Sequence, residues 1–171
     1  MKALKKGILL LSLLVLISGF GYSQQAKFGH IDSNKILSLM PETDSLQNEF
    51  KNYADYLDQQ INAMGMEYQT KVAEYQNNAA TMSDLIRQTK EKEITDLQGR
   101  IQAFQASADQ DLQAKQAELF NPLIEKVRNA ITEVAKENNY TYIFDVGTGA
   151  LLFFDNGDDI LPLVKKKMGI K

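Results

Sequence analysis

Residue types that carry most enzyme chemistry are sparse in this chain. His30 is the only histidine and there is no cysteine, so a zinc site would lack its usual ligands and a surface or edge-strand histidine is the simpler interpretation. The acidic run at residues 155–159 has its glycine third rather than sixth, unlike a calcium loop, and is expected to be a solvated turn. No nucleophile and base stand at a catalytic spacing. The sequence therefore predicts no enzyme, no metal site and no cofactor.

The chemistry that remains is non-covalent contact with another polypeptide. Tyr56, Met66 and Met82 are large apolar residues outside the helical stripe described next. Flexible methionine and amphipathic tyrosine suit a surface that accepts many sequences, so these three are the predicted contact residues for a variable partner. The alternative is local packing or isolated exposure, which is common in folded proteins.

A long helix must position these residues, because the apolar residues between positions 46 and 79 follow an eleven-residue repeat. Their spacings are 4, 3 and 4, three times over, which places them on one stripe of a nearly straight helix. The stripe consists of Leu46, Phe50, Tyr53, Leu57, Ile61, Met64, Tyr68, Val72, Tyr75 and Ala79.

A second long helix is predicted downstream, with a weaker form of the same repeat. A polar stretch at residues 77–84 separates the two, and either Thr81 or Ser83 can cap the second helix. We expect an antiparallel hairpin arm over residues 42–119, with limbs of about 36 residues reaching on the order of 50 Å. The second stripe consists of Ile86, Ile94, Leu97, Ile101, Phe104, Ala108, Leu112 and Leu119.

Gly65 and Gly99 interrupt the two limbs, and each costs about 1 kcal/mol of helix stability relative to alanine. If the turn centres near Ala80, the two glycines lie within about one helical turn of each other across the hairpin. They are predicted either to form a hinge or to allow the limbs a close approach, and the sequence leaves both interpretations open.

Residues 24–41 and 120–171 are predicted to form a small β-rich body. A strand over residues 27–32, a short helix capped by Asp32 or Ser33, and Pro41 precede the arm. After the arm, Asn121 is expected to cap a new helix with Pro122 in its first turn, ending at residues 138–139. A strand over residues 140–146, a glycine turn and a hairpin partner at residues 151–154 should follow, before a last helix through residues 163–168.

Residues 151–154 are apolar on both faces, so something must cover the second face of the predicted hairpin. Either the terminal helices of the same chain or a second copy can supply the cover. A sheet this small has open edges, so we favour oligomerisation that completes a shared sheet or barrel. The predicted contacts of the body are Phe28, Ile31, Tyr142, Phe144, Leu152 and Phe154.

The first 23 residues have the pattern of a secretory signal peptide. Lysines precede an apolar run at residues 8–17, and small residues stand at positions 21 and 23, so cleavage is expected after Ser23. As a retained anchor the run is shorter than the roughly 20 residues that span a bilayer. Removing it changes the net charge from −3 to −6, which disfavours nucleic-acid binding.

The order of these segments resembles the Skp/OmpH family of periplasmic chaperones. The matching motifs are Phe-Gly-His-Ile-Asp at residues 28–32 with Ile36 and Leu37, Asn-Pro-Leu-Ile-Glu-Lys-Val at 121–127, Asn-Tyr at 139–140 and Asp-Ile at 159–160. Two features depart from the family pattern: the mature chain is acidic where relatives are often strongly basic, and Leu161 with Pro162 replaces the usual threonine after Asp-Ile.

The resemblance implies a homotrimer whose shared β-rich body carries three helical arms around a cavity. Such a protein holds unfolded outer-membrane β-barrel proteins in the periplasm without ATP, which agrees with the lack of a Gly-x4-Gly-Lys-Ser/Thr motif here. Any contact with a membrane would be transient. The alternatives are a periplasmic coiled-coil adaptor or structural protein that bridges envelope components, and a cytosolic prefoldin-like protein without the leader.

Overall fold

Over its described residues, the chain folds into a small sheet, two very long helices and two short ones. The computed structural model describes residues 26–155 and 157–170, so the predicted leader and its cleavage site after Ser23 lie outside the described residues. Of the predicted α+β fold, the combination of long helices with a small sheet is confirmed, and the structure is mostly helical. In chain order the elements are β1 (Phe28–Ile31), α1 (Ser33–Leu39), α2 (Pro41–Asn78), a 3-10 turn (Ala79–Thr81), α3 (Asp84–Glu137), β2 (Tyr142–Asp145), β3 (Asp158–Asp159) and α4 (Leu161–Met168).

The starts of the first two helices follow from local chemistry. The Asp32 side chain accepts hydrogen bonds from the backbone N–H groups of Asn34 (3.1 Å) and Lys35 (3.3 Å), so Asp32 rather than Ser33 caps α1. Pro41 opens α2, where a missing N–H costs nothing because the first turn has no carbonyl to bond. Only one residue, Met40, separates α1 from α2, so the chain passes from β1 through α1 directly into the long helix.

The two long helices contact each other in a single register. Leu57 of α2 and Leu97 of α3 are buried between them, on the stripes predicted from the eleven-residue repeat. Three ion pairs join the two helices, and in them a higher residue number in α2 goes with a lower residue number in α3. The pairs are Lys71 with Glu93 (3.2 Å), Glu49 with Lys115 (3.0 Å) and Glu42 with Lys126 (2.7 Å).

Helix α3 runs without a break from the arm into the body, so the predicted new helix at Asn121 is wrong. Pro122 lies inside α3 and removes one backbone hydrogen bond there. Leu119, Leu123 and Val127 are buried on the same side of α3 around the proline. Burial of this continuous face outweighs the lost hydrogen bond, and the predicted boundary at residue 120 falls within one helix.

The sheet is parallel, and the predicted β-hairpin is wrong. The strand order is β2-β1-β3, with Phe28 opposite Tyr142 in the first pair and Gly29 opposite Asp158 in the second. Residues 151–154, the expected hairpin partner, are in no strand.

Helix α3 and the loop after β2 explain this arrangement. Helix α3 returns the chain alongside β1, which has two free edges, so β2 pairs with one edge and β3 with the other. The intervening loop crosses the outer face of the sheet, where the Phe154 ring lies 4.8 Å from the His30 ring. The loop therefore covers part of a face rather than extending the β2 edge.

The core of the body lies on the inner face of the sheet. Alternation along β1 buries Gly29 and Ile31 on this side, against α1, the C-terminal part of α3, and α4. Leu123 and Val127 of α3 therefore belong to the same core as the strand. The core residues are Ile31, Ile36, Met40, Leu123, Val127, Ala130, Val134, Ile160 and Val164.

A polar cluster fixes the carboxyl end of β2 to the start of α1. The Asp145 carboxylate accepts hydrogen bonds from the Ser33 N–H (3.2 Å), the Ser33 hydroxyl and the Gly147 N–H (2.9 Å). A Cβ atom on Gly147 would stand 2.5 Å from an Asp32 carboxylate oxygen, so a larger residue here would have to displace the side chain that caps α1. The cluster thereby holds the outward-facing residues of β2 in register with those of β1.

Candidate functional site

The outer face of the sheet carries a stack of exposed aromatic rings. The rings of Phe28 and Tyr142 lie 5.9 Å apart and nearly parallel, and the Phe144 ring lies 6.3 Å from each. All three are exposed, because the strands direct alternate side chains away from the core. With Phe154, which packs on His30, these residues form what we call the aromatic face.

The loop beside the aromatic face adds further exposed apolar side chains. Leu152 is 97% exposed, Phe153 is also exposed, and a cavity of about 230 Å³ lies between this loop and β1. Nδ1 of His30 is buried and has no hydrogen-bond partner within residues 26–155 and 157–170. Contiguous exposed apolar surface of this kind is typical of a protein contact surface.

The rim of the sheet is polar and internally paired. Asp158 accepts a hydrogen bond from the Tyr140 hydroxyl (2.8 Å) and pairs with Lys27 (3.5 Å), whose ammonium lies 4.0 Å from the centre of the Tyr140 ring. The hydrogen bond from Tyr140, together with the Lys27 charge, lowers the pKa of Asp158. Burial and the same hydrogen bond raise the pKa of Tyr140. The arrangement ties β3 to the start of β1.

The predicted body contacts divide into two sets. Phe28, Tyr142, Phe144 and Phe154 lie together on the aromatic face, and Leu152 projects from the neighbouring loop. Ile31 is on the inner face of the sheet and belongs to the core. Alternation along β1 separates Ile31 from Phe28, so only the first set is placed to contact another molecule.

With the exception of Ile86, the predicted seam residues lie on the less exposed sides of the two helices. In α2, Leu57 is buried and its eight stripe partners in that helix, Tyr53 and Met64 among them, are partly buried, as is Ala79 in the 3-10 turn. In α3, Leu97 and Ala108 are buried and the other seam residues from Ile94 to Leu112 are partly buried; only Ile86, near the turn, is exposed. Two helices alone leave most of this stripe half accessible.

The predicted contact residues are spread along the arm. Tyr56 is 55% exposed and Met66 is 65% exposed, both on α2, whereas Met82 is half-buried beside the turn. The structure therefore does not bring the three together. It adds Leu85 and Ile86, two exposed neighbours in the first turn of α3. Their adjacency in the sequence could have indicated this exposure, because one helical stripe cannot bury two consecutive residues.

Gly65 and Gly99 lie opposite each other. Gly65 is six residues before Lys71 and Gly99 is six residues after Glu93, and that lysine and glutamate form an ion pair between the helices. A Cβ atom on either glycine would meet nothing within 4 Å. Close approach of the helices therefore does not require glycine at either position, which leaves the hinge as the interpretation to test.

Charged pairs between the helices favour one register but hold it weakly. The hydrogen bond from Lys71, with Lys90 nearby, lowers the pKa of Glu93, and the hydrogen bond from Lys126 lowers the pKa of Glu42. Both carboxylates are exposed to solvent, which screens such pairs. Burial of the seam, rather than these charges, must supply most of the contact energy.

Two further kinds of site are absent from the part of the chain that the structure describes. There, no group of three or more histidine, cysteine, aspartate or glutamate side chains is placed to hold a metal ion. No described helix is both long enough and apolar enough to cross a bilayer. The exposed surfaces described above are thus the candidates for function.

Three proteins named as the chaperone Skp are similar to this chain over most of its length. A chaperone protein Skp from Yersinia enterocolitica is 24% identical over 169 residues, covering 96% of this chain and 99% of the relative. Skp from Pectobacterium atrosepticum is 24% identical over 159 residues (91% and 93%), and Skp from Blochmanniella pennsylvanica is 28% identical over 125 residues (72% and 72%). These three relatives, each named as a chaperone, match this chain over most of its length.

The family expected from the sequence motifs is also confirmed by a family model. That model, described as outer membrane protein (OmpH-like), matches residues 27–168. The match begins just before β1 and ends at the last residue of α4. The chain belongs to the OmpH-like family.

Proposed function

We propose that this protein is an ATP-independent holdase chaperone of the periplasm that sequesters unfolded outer-membrane β-barrel proteins. It acts as a homotrimer, with residues 1–23 as a cleaved signal peptide. Residues 24–41 and 120–171 form the trimerisation body, and residues 42–119 form an antiparallel hairpin arm. Three arms surround a cavity in which the client is held.

The aromatic face is the observation on which the trimer depends most. A protomer that leaves Phe28, Tyr142 and Phe144 exposed beside the open edge of β2 presents both an apolar surface and unpaired strand groups. Contact with the same face of other copies buries both. A shared body would place three arm bases side by side, which a single chain cannot do.

The arm is suited to holding an unfolded client rather than to promoting its folding. Helix α2 has 38 residues, so the arm extends about 57 Å. Its exposed Tyr56 and Met66, with Met82 near the turn, offer separate weak contacts on flexible or amphipathic side chains. Several weak contacts linked in one trimer raise the effective concentration for an unfolded client, so the client is retained without a deep binding site.

The direct test is dilution of an outer-membrane β-barrel protein from urea in the presence of the purified mature chain. We expect light scattering to be suppressed at about one trimer per client, and sedimentation to give a trimer. An adaptor or structural bridge would instead leave scattering unchanged and bind a folded envelope partner. A monomer at micromolar concentration, or undiminished aggregation, would contradict the proposal.

We also propose that Gly65 and Gly99 form a bending point that lets the arms open for larger clients. Replacing both by alanine adds about 1 kcal/mol of helix stability at each position, and the open space around both sites accommodates the new methyl groups. The doubly substituted protein should hold small barrels as well as the natural sequence does, but hold large ones less well. The measurement is half-suppression of scattering for a small and a large barrel protein.

The matched control replaces Asn62 and Ser107 by alanine. Both are exposed in the same two helices, and both changes raise helix propensity without removing a glycine. If the control narrows the client range as much as the glycine changes do, general stiffening is the cause. If neither variant changes the range, the glycines do not act as a hinge.

A further inference from the structure

An apolar patch lies at the end of the arm that is farthest from the body. It consists of Met82, Leu85 and Ile86, which we call the tip patch. Leu85 is 74% exposed and Ile86 is 50% exposed, so this small region contains two of the large apolar side chains that the described chain leaves open to solvent. Neither contributes to the buried part of the seam, and packing within the protomer does not explain them.

The tip patch is held in place by an ordered first turn of α3. The Ser83 hydroxyl accepts a hydrogen bond from the Ile86 N–H (3.4 Å), and the Ser83 carbonyl accepts one from the Arg87 N–H (2.9 Å). Arg87 also pairs with Asp84 on the same turn. Leu85 and Ile86 therefore project from a fixed backbone rather than from a loose loop.

Charge around the tip patch is balanced. Within residues 82–93, Asp84, Glu91 and Glu93 match one arginine and two lysines, whereas residues 42–119 as a whole carry 14 acidic and 7 basic residues. Lys90 contacts Glu93 (3.7 Å) and Glu91 accepts a hydrogen bond from Tyr75. The tip is thus a neutral apolar spot on an acidic arm, which does not fit a polyanion.

The size of the patch limits the kind of partner. A stable complex between folded proteins needs about 800 Å² of buried surface on each side, far more than three side chains at the end of two helices provide. The same limit argues against a stable contact between the tips of two arms. A short apolar stretch of a flexible chain, by contrast, needs only a few side chains at each point of contact.

We infer that the tip patch is a weak, sequence-tolerant contact site for apolar segments of unfolded polypeptide. The inference rests on the proposed holdase function. It identifies the tip patch as the last contact that each arm makes with a client that leaves the cavity. In a trimer, three tip patches act on one client at once, so each can be weak and still slow the release.

The test compares the natural sequence with a variant carrying Leu85→Gln and Ile86→Gln, using an outer-membrane β-barrel protein diluted from urea as the probe. We expect the chaperone concentration for half-suppression of scattering to rise roughly fivefold, with helicity and trimer mass unchanged. The control carries Thr89→Gln and Thr95→Gln, two exposed positions of the same helix, and should behave like the natural sequence.

The outcomes separate this inference from the proposed function. Failure of the natural sequence to suppress scattering would remove the holdase itself, whereas suppression that survives the tip substitutions would overturn the tip patch alone. A second measurement uses the lack of native cysteine: Leu85→Cys with a benzophenone label should form adducts with the unfolded barrel protein. Adducts between two chaperone chains instead would assign the tip to contact between arms and overturn the inference.

Discussion

Phe144→Asp is expected to give a folded protomer that neither trimerises nor holds a client. Phe144 is exposed in the protomer, so the substitution removes its ring contacts with Phe28 and Tyr142 and its side of the cavity beside the loop, but no part of the core. In a trimer joined through the aromatic face, it would bury a carboxylate without a partner in each copy. That desolvation should raise the dissociation constant roughly 100-fold or more.

Sedimentation and far-ultraviolet circular dichroism distinguish loss of assembly from loss of fold. The variant should sediment as a monomer with nearly unchanged helicity, and it should no longer suppress aggregation of a urea-diluted barrel protein. Asn129→Asp is the matched control. Asn129 is exposed on α3, and its substitution adds the same charge away from the sheet. A Phe144→Asp trimer of normal affinity would show that the aromatic face is not the interface.

Local chemistry explains why much of the fold could be predicted from the sequence. The seam from Leu46 to Tyr75 follows from helical periodicity, which depends only on residues within a few turns. Asp32 and Ser83 could be proposed as helix caps because a cap bonds backbone groups two or three residues away. Each of these features is settled by neighbours in sequence.

The pairing of the strands could not be predicted in the same way, because it depends on distant residues. Nothing within residues 140–154 indicates that β2 pairs with β1, more than 100 residues earlier in the chain. The apolar run at residues 151–154 suits a strand equally well as a loop that covers His30. Similarly, Pro122 marks a helix start by local rules, and only the burial of Leu119 and Leu123 keeps α3 continuous.

The candidate site was predictable in part for the same reason. Phe28, Tyr142 and Phe144 could be named as body contacts from their type, but their stacking on one face depends on the parallel register. The exposed pair Leu85 and Ile86 was not singled out, because Ile86 falls on the eleven-residue repeat. The register of the Lys71–Glu93 pair places Ile86 opposite Asn78, the last residue of α2, so no further turn of the facing helix covers this stripe residue.

Leu97→Ala is expected to loosen the arm while the body stays folded. Leu97 is 0% exposed and is buried in the seam between α2 and α3. Replacing a buried leucine by alanine costs about 2–5 kcal/mol, depending on how far the site can collapse. A two-helix arm has no third layer that could close the cavity. Gly99, two residues away, already lowers the stability of this part of α3. The loss of the Leu97 side chain should therefore separate the two helices from this point to the turn.

Hydrogen exchange measured residue by residue can locate this loss. Amides of residues 60–105 should exchange much faster in Leu97→Ala, whereas those near Val127 and Val134 in the body core should keep their protection. Gln98→Ala, an exposed neighbour on the same helix, should change neither region. Uniform loss of protection in arm and body would mean that the two unfold together. In that case the arm would not be an independently mobile limb, and client size could not be accommodated by bending it.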